Sequence, residues 1–86
     1  MKNKSSIKIL GKTYQVKYVR GLADYGSTDF NTQTILIKED MTEENKQSAV
    51  LHEILECGNE DLNLSLPHQT IQSLEAFLFA VYKDNF

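Results

Sequence analysis

The hydrophobic pattern of this chain changes its period once, close to Thr42. Before that point apolar and polar residues alternate, as in Ser6–Leu10 and Tyr14–Val19, which is the period of a half-buried β-strand. After it, apolar residues recur at spacings of three and four, as in an amphipathic helix. A chain that places all its strands before its helices is predicted to adopt an α+β fold.

Two hairpins account for the first half of the chain. The first pairs Ser6–Leu10 with Tyr14–Val19 across Gly11–Lys12, with glycine at the first central position, as a type II′ turn prefers. The second pairs a weaker strand, Tyr25–Phe30, with Thr34–Lys38. The last strand is β-branched and almost entirely apolar, so we expect it near the centre of the sheet. The weaker strand contains glycine and small polar residues, which suit an edge whose backbone another group can approach. We therefore predict a small antiparallel sheet.

Two helices are predicted to follow and to pack on this sheet. Thr42 is a good N-cap for the first helix, which should end near Cys57, just before Gly58. Pro67 suits the first turn of the second helix, which should continue to about Lys83. The apolar stripe of the second helix consists of Ile71, Leu74, Phe77, Leu78 and Val81. That spacing predicts a helix with one buried face.

One turn of the first helix carries a histidine and two carboxylates. His52 and Glu56 are i and i+4 neighbours, with Glu53 beside them. Such a group can present an imidazole and a carboxylate to one Zn²⁺ ion, with Glu53 as a general base toward metal-bound water. Catalytic zinc takes three protein ligands. His68 and Glu75 lie on one stripe of the second helix, and antiparallel packing of the two helices would bring that stripe to His52.

The same residues also have an ordinary explanation. The apolar arc of the first helix consists of Val50, Leu51, Ile54, Leu55 and Cys57. His52, Glu53 and Glu56 lie opposite that arc, where charged side chains are common simply because they are solvated. A surface pair of His52 and Glu56 would contribute only about 0.2–0.5 kcal/mol. A solvated helix face therefore remains the alternative to a metal site.

Composition and charge exclude several classes of function. Nine basic and twelve acidic residues give a net charge of −3 without a block of lysine or arginine, so nucleic-acid binding is not expected. The basic Met1–Lys4 stretch is not followed by an apolar segment, so we expect no signal peptide. No run approaches the roughly 18 apolar residues that span a bilayer. The single Cys57 fits a reducing compartment, and we predict a cytoplasmic protein.

Several segments together resemble a known family. Ile9–Val16 and Thr34–Ile37, followed by an acidic helix start and by Leu51–Glu56, resemble small bacteriophage and prophage proteins related to the zincin-like ImmA/IrrE metallopeptidases. The two-helix part is the most specific portion of this resemblance. Its later elements are a leucine-rich connector, His68, Leu74–Glu75 and Tyr82–Asn85. A phage-encoded protein of this kind would work in the cytoplasm of the host.

The resemblance implies a minimal zincin-like domain over residues 1–86, acting as a metal-dependent peptidase or hydrolase. The candidate metal ligands that it implies are His52, Glu56, His68 and Glu75. Glu75 could instead orient a histidine, and Glu53 is the candidate base that activates a metal-bound water. Glu56 occupies the position of the second histidine in His-Glu-x-x-His. Zn²⁺ is the expected metal, but an oxygen ligand there also suits Mn²⁺ or Mg²⁺.

Two functions remain open, and a third possibility is a dimeric structural module with apolar residues such as Phe79 or Phe86 buried at an interface. In a peptidase, the Tyr25–Phe30 edge strand would pair with an extended peptide substrate. The alternative is a non-catalytic phage accessory protein, which keeps the same scaffold and binds a host or phage protein. Both functions predict a protein or peptide partner, and neither involves nucleic acid or a membrane.

Overall fold

The strands precede the helices along the chain. The computed structural model describes residues 5–86, so the basic Met1–Lys4 stretch lies outside the described residues. The elements are β1 (Ser6–Ile9), β2 (Lys12–Val19), β3 (Gly26–Asp29), β4 (Thr34–Lys38), α1 (Glu43–Asp61) and α2 (His68–Asn85). A four-stranded sheet followed by two helices is an α+β fold, which confirms the predicted class.

The sheet is mixed, which corrects the predicted antiparallel arrangement. Its strand order is β1-β2-β4-β3, and the two hairpins are antiparallel, but β2 and β4 run parallel. After β2 the chain turns back, so β3 runs opposite to β2. The chain then turns again, and β4 lies between β2 and β3 and runs parallel to β2. The continuous apolar sequence of β4 suits this central position, and the small polar residues of β3 suit the edge. Both of these positions were predicted.

The turn of the first hairpin lies one residue earlier than predicted. Ile9 pairs with Lys12, so Leu10 and Gly11 are the two central residues. Their φ angles are 49° and 82°. Positive φ at both central residues is the signature of a type I′ turn, which matches the right-handed twist of the strands, rather than of the type II′ turn expected at Gly11–Lys12.

One face of the sheet packs against α1 to form the core. The buried cluster consists of Ile9, Tyr14, Val16, Ile35, Ile37, Ala49, Val50 and Cys57. As predicted, Thr42 caps α1, because its Oγ1 accepts a hydrogen bond of 3.1 Å from the Asn45 N–H. The helix does not stop before Gly58, however, and continues to Asp61.

The buried stripe of α1 is rotated from the predicted apolar arc. It consists of Lys46, Ala49, Val50, Glu53 and Cys57, whereas Leu51, Ile54 and Leu55 are only half-buried. The small side chains of Ala49 and Cys57 allow the helix to approach the sheet closely. As a result, Glu53 turns toward the sheet and not toward solvent.

The helix α2 packs along α1, which separates it from the sheet in the described part of the chain. Ile71 is its buried residue, whereas Phe77 is 63% exposed and Leu78 and Val81 are also exposed. The predicted burial of Phe77 is therefore wrong. The apolar stripe exists, but α1 already covers the sheet face on which it would pack. Neither helix in residues 5–86 is long and apolar enough to cross a membrane.

Candidate metal centre

The two helices are antiparallel, as their short connector predicts. Lys83 of α2 donates a hydrogen bond of 3.0 Å to Glu44 near the start of α1. At the opposite end of the pair, His68 of α2 lies beside Glu56 of α1. This direction brings the polar stripe of α2 onto the His-Glu-x-x-Glu turn of α1.

Three of the four predicted ligands converge at this contact. Oε2 of Glu56 lies 3.4 Å from Nε2 of His52 and 3.4 Å from Nδ1 of His68. Each residue offers one ligand atom, and these atoms all lie within 4.8 Å of one another. The two imidazole rings have centroids 5.2 Å apart and meet at 65°. Both rings therefore turn a nitrogen toward the same carboxylate.

The two separations that involve Glu56 have the length expected in a tetrahedral site. With metal–ligand bonds of about 2.0–2.2 Å, neighbouring ligand atoms of a tetrahedral site are about 3.3–3.6 Å apart. Two of the three separations in the group have that length. The donor set of two nitrogens and one oxygen suits zinc, and three protein ligands leave a fourth position open, as in catalytic sites. His68 is the most exposed member of the group, with 64% of its side chain accessible.

Glu75, the fourth predicted ligand, lies on the other side of the His52 ring. Its Oε1 is 2.7 Å from Nδ1 of His52, and its Oε2 accepts a hydrogen bond of 2.5 Å from the Ser48 hydroxyl. Because an ionised carboxylate can only accept, the contact with Glu75 calls for a proton on Nδ1, and Nε2 is the nitrogen that faces Glu56. Of the two roles open to Glu75, orienting a histidine matches this placement.

Glu53 is held between α1 and the edge strand. It is 6% exposed, and the Thr28 hydroxyl donates a hydrogen bond of 2.7 Å to its Oε1. Burial raises the pKa of the Glu53 carboxyl above its ordinary value, against the lowering effects of the Thr28 hydrogen bond and of His52. A Cβ atom on Gly26 would lie 3.2 Å from Glu53 Oε2, so glycine leaves room for this carboxylate.

The candidate ligands, Glu53 and Glu75 line one open cavity of about 890 Å³. Its lining residues are Ala23, Asp24, Tyr25, Gly26, Ser27, Thr28, Phe30, Ala49, His52, Glu53, Glu56, His68, Gln72 and Glu75. The loop before β3, β3 itself, α1 and α2 thus each contribute to the wall. The candidate metal ligands and the candidate base share a single accessible space.

The outer edge of β3 borders the same cavity, and no other strand within residues 5–86 pairs with it. The Lys38 N–H donates to the Tyr25 carbonyl at 2.9 Å, so these two residues form a hydrogen-bonded pair of the antiparallel ladder. Bonded and non-bonded pairs alternate along such a ladder. The N–H and C=O groups of Gly26 and Thr28 therefore point away from β4, toward the free edge.

Sequence reasoning missed several residues of this site. Nothing in the local pattern indicated that Thr28 would hold Glu53 or that Ser48 would hold Glu75. Nothing in the sequence indicated that Asp24, in the loop before β3, would line the cavity. The glycine in a weak edge strand was the one usable signal, because it indicated a backbone open to close approach.

The chain matches no protein-family model, and neither curated proteins nor solved structures show a significant similarity to it. The resemblance to ImmA/IrrE-type proteins therefore stays a prediction from the sequence motifs.

Proposed function

We propose that this protein is a zincin-like metalloprotein that binds Zn²⁺, or a related divalent ion, and hydrolyses peptide bonds. The observation that supports this proposal most directly is the convergence of His52, Glu56 and His68 in the cavity that also holds the buried Glu53. Two histidines and a carboxylate with one free position form a typical donor set for catalytic zinc. The motif resemblance to ImmA/IrrE-type peptidases supports the same function.

The residues of the chain have separate tasks in this reaction. A divalent ion in such a site polarises a substrate carbonyl and makes water more acidic. Glu53 accepts the proton of the attacking water and delivers it to the leaving amine nitrogen, and its raised pKa suits both steps. Thr28 holds the Glu53 carboxylate in place. Glu75 and Ser48 keep the His52 ring in the tautomer that turns Nε2 toward the ion.

The substrate in this proposal is an extended peptide. The unpaired groups of Gly26 and Thr28 can pair with its backbone, which adds a strand to the edge of the sheet. Such pairing would place a peptide carbonyl in the cavity between β3 and the His52 group.

The test is a zinc titration of protein stripped with a chelator. We expect close to one equivalent of zinc by elemental analysis, and we expect His52→Ala to lose it. Glu53→Gln should keep the metal and lose peptide hydrolysis. The exposed Glu60 lies on the same helix outside the cavity, so Glu60→Gln is the matched control and should change neither property. Absence of zinc after reconstitution at neutral pH would contradict the proposal.

A second candidate function is a non-catalytic accessory protein that binds a host or phage protein through the same scaffold. The observation in its favour is the bond between Thr28 and Glu53, because a buried carboxylate that ties α1 to β3 has a structural role without any chemistry. In that case, Glu53→Gln would leave biological function intact, whereas substitutions along the edge strand would abolish it.

A further inference from the structure

The two edges of the sheet differ in how they are protected. Edge strands normally carry lysine, proline or a bulge, which keeps other chains from pairing with them. The β1 edge has Lys8, whereas β3 reads Gly-Ser-Thr-Asp and contains neither lysine nor proline. Its four residues extend over about 13 Å, at about 3.3 Å per residue. The β3 edge is therefore open to a strand of similar length, with Gly26 and Thr28 as its pairing groups.

The cavity beside this edge has a strongly one-sided charge. Its carboxylates are Asp24, Glu53, Glu56 and Glu75. No lysine or arginine occurs among the described residues that line it. One divalent ion offsets only two negative charges, so the wall stays anionic with the metal bound. A cleft lined by one sign of charge concentrates the opposite charge from solution.

Asp24 is the carboxylate least involved in the candidate metal centre. It lies in the loop before β3, and among residues 5–86 no basic side chain forms an ion pair with it. Its neighbour Tyr25 is 62% exposed and lines the same cavity. A carboxylate beside an open aromatic ring is the combination that binds guanidinium and ammonium groups, by charge-assisted hydrogen bonds and by cation–π contact.

We infer that this cavity selects extended peptides that carry an arginine or lysine side chain. The peptide backbone pairs with Gly26 and Thr28, and the cationic side chain contacts Asp24 and Tyr25. This inference rests on the proposed function for one point only, namely that the bound peptide is also the substrate. Binding itself requires the edge strand and the anionic wall, and it does not require the metal.

The test uses metal-free protein and short capped peptides of alternating threonine and valine with one variable central residue. Arginine, its neutral isostere citrulline, and glutamate are compared at that position by fluorescence anisotropy. We expect the arginine peptide to bind about tenfold more tightly than the citrulline peptide, because a hydrogen bond to a charged partner is the stronger one. The glutamate peptide should bind most weakly, and added salt should reduce the preference for arginine.

The key variant is Asp24→Asn, which removes the loop carboxylate without touching the candidate ligands. It should bring the ratio of arginine to citrulline affinities close to one and leave zinc binding unchanged. Asp84→Asn makes the same chemical change at an exposed residue outside the cavity and should keep the full preference. Two further peptides carry N-methyl groups on the odd-numbered or on the even-numbered residues. Only one of the two should lose binding, because only every second residue of a paired strand directs its N–H toward the neighbouring strand.

Equal affinities for the three peptides, an unchanged preference in Asp24→Asn, or no saturable binding of any peptide would each overturn the inference. These results can be separated from a failure of the proposed function. Protein that binds no zinc but still prefers the arginine peptide would contradict only the hydrolase. Protein that binds zinc and hydrolyses all three peptides equally would contradict only the selectivity.

Discussion

The two helices have similar lengths but are held in different ways. The helix α1 lies between the sheet and α2 and has five buried residues, whereas α2 has Ile71 as its buried residue. Much of the contact between them is polar, as in the Glu75 contacts with His52 and Ser48. The candidate metal centre therefore has a half supplied by α1, which the core fixes. Its other half is supplied by α2, which is held by the buried Ile71 and a few polar contacts. Elements with few buried apolar contacts open most easily.

The largest difference in unfolding free energy should be between two variants, one with an apolar side chain truncated in the core under α1 and one with an apolar side chain truncated on α2. Ile35→Ala removes a fully buried side chain beneath α1 and should cost about 2–5 kcal/mol of unfolding free energy. Phe77→Ala on the exposed face of α2 should cost less than about 1 kcal/mol. Denaturant unfolding measures both variants. Equal losses would show that the exposed face of α2 is covered in solution.

Metal binding should make the local stability of α2 more similar to that of α1. Zinc at about 100 times its dissociation constant should raise the unfolding free energy by about 2.7 kcal/mol, provided that it binds only the folded chain. Amide hydrogen exchange should slow more in α2 than in α1, because the ion joins His68 to the already fixed His52 and Glu56. His68→Ala should remove this difference. Uniform slowing in both helices would mean that zinc does not hold α2 specifically.

The orientation of His52 by α2 should have a smaller effect. Glu75→Gln removes the charged acceptor from Nδ1 and should weaken zinc binding by about 10–100-fold, the usual effect of losing such a partner. Ser48→Ala should weaken it less, since Ser48 acts through Glu75. Isothermal titration gives the affinities, and circular dichroism checks that the fold is retained. An unchanged zinc affinity in Glu75→Gln would show that α1 alone orients His52.

The last prediction concerns the core side of α1, and it applies only at alkaline pH. Burial raises the pKa of Cys57 from 9.0 to about 11 and that of Tyr14 from 10.0 to about 12. Both groups stay neutral up to a higher pH in the folded chain than in the unfolded chain. Their contribution to stability is therefore complete below pH 9 and is lost as the pH rises from about 9 to about 12. The melting temperature should fall over this range.

Cys57→Ala separates the two groups in this measurement. In that variant the loss of stability should begin about one pH unit later, since only Tyr14 remains to ionise. A thiol reagent at neutral pH should label the parent protein only after denaturation, because Cys57 is fully buried. Rapid labelling of the native protein would show that α1 opens away from the sheet.

Local patterns were sufficient for much of the fold. The strands around the first turn, the central position of β4 and the N-cap at Thr42 depend on residues that are near each other in sequence. The parallel pairing of β2 with β4 depends on how a later hairpin returns beside an earlier one. Likewise, the buried face of α1 depends on which side chains are small enough for close approach to the sheet. Neither property is encoded within one element.

In the candidate site, too, some features follow from local sequence and others from packing between elements. The sequence alone determined that His52, Glu53 and Glu56 share one turn of helix, because the spacing of side chains on a helix is local. Tertiary structure alone decided that Glu53 faces β3, that Glu75 lies behind the His52 ring, and that His68 reaches Glu56. Distances between elements depend on packing, which involves the whole chain at once.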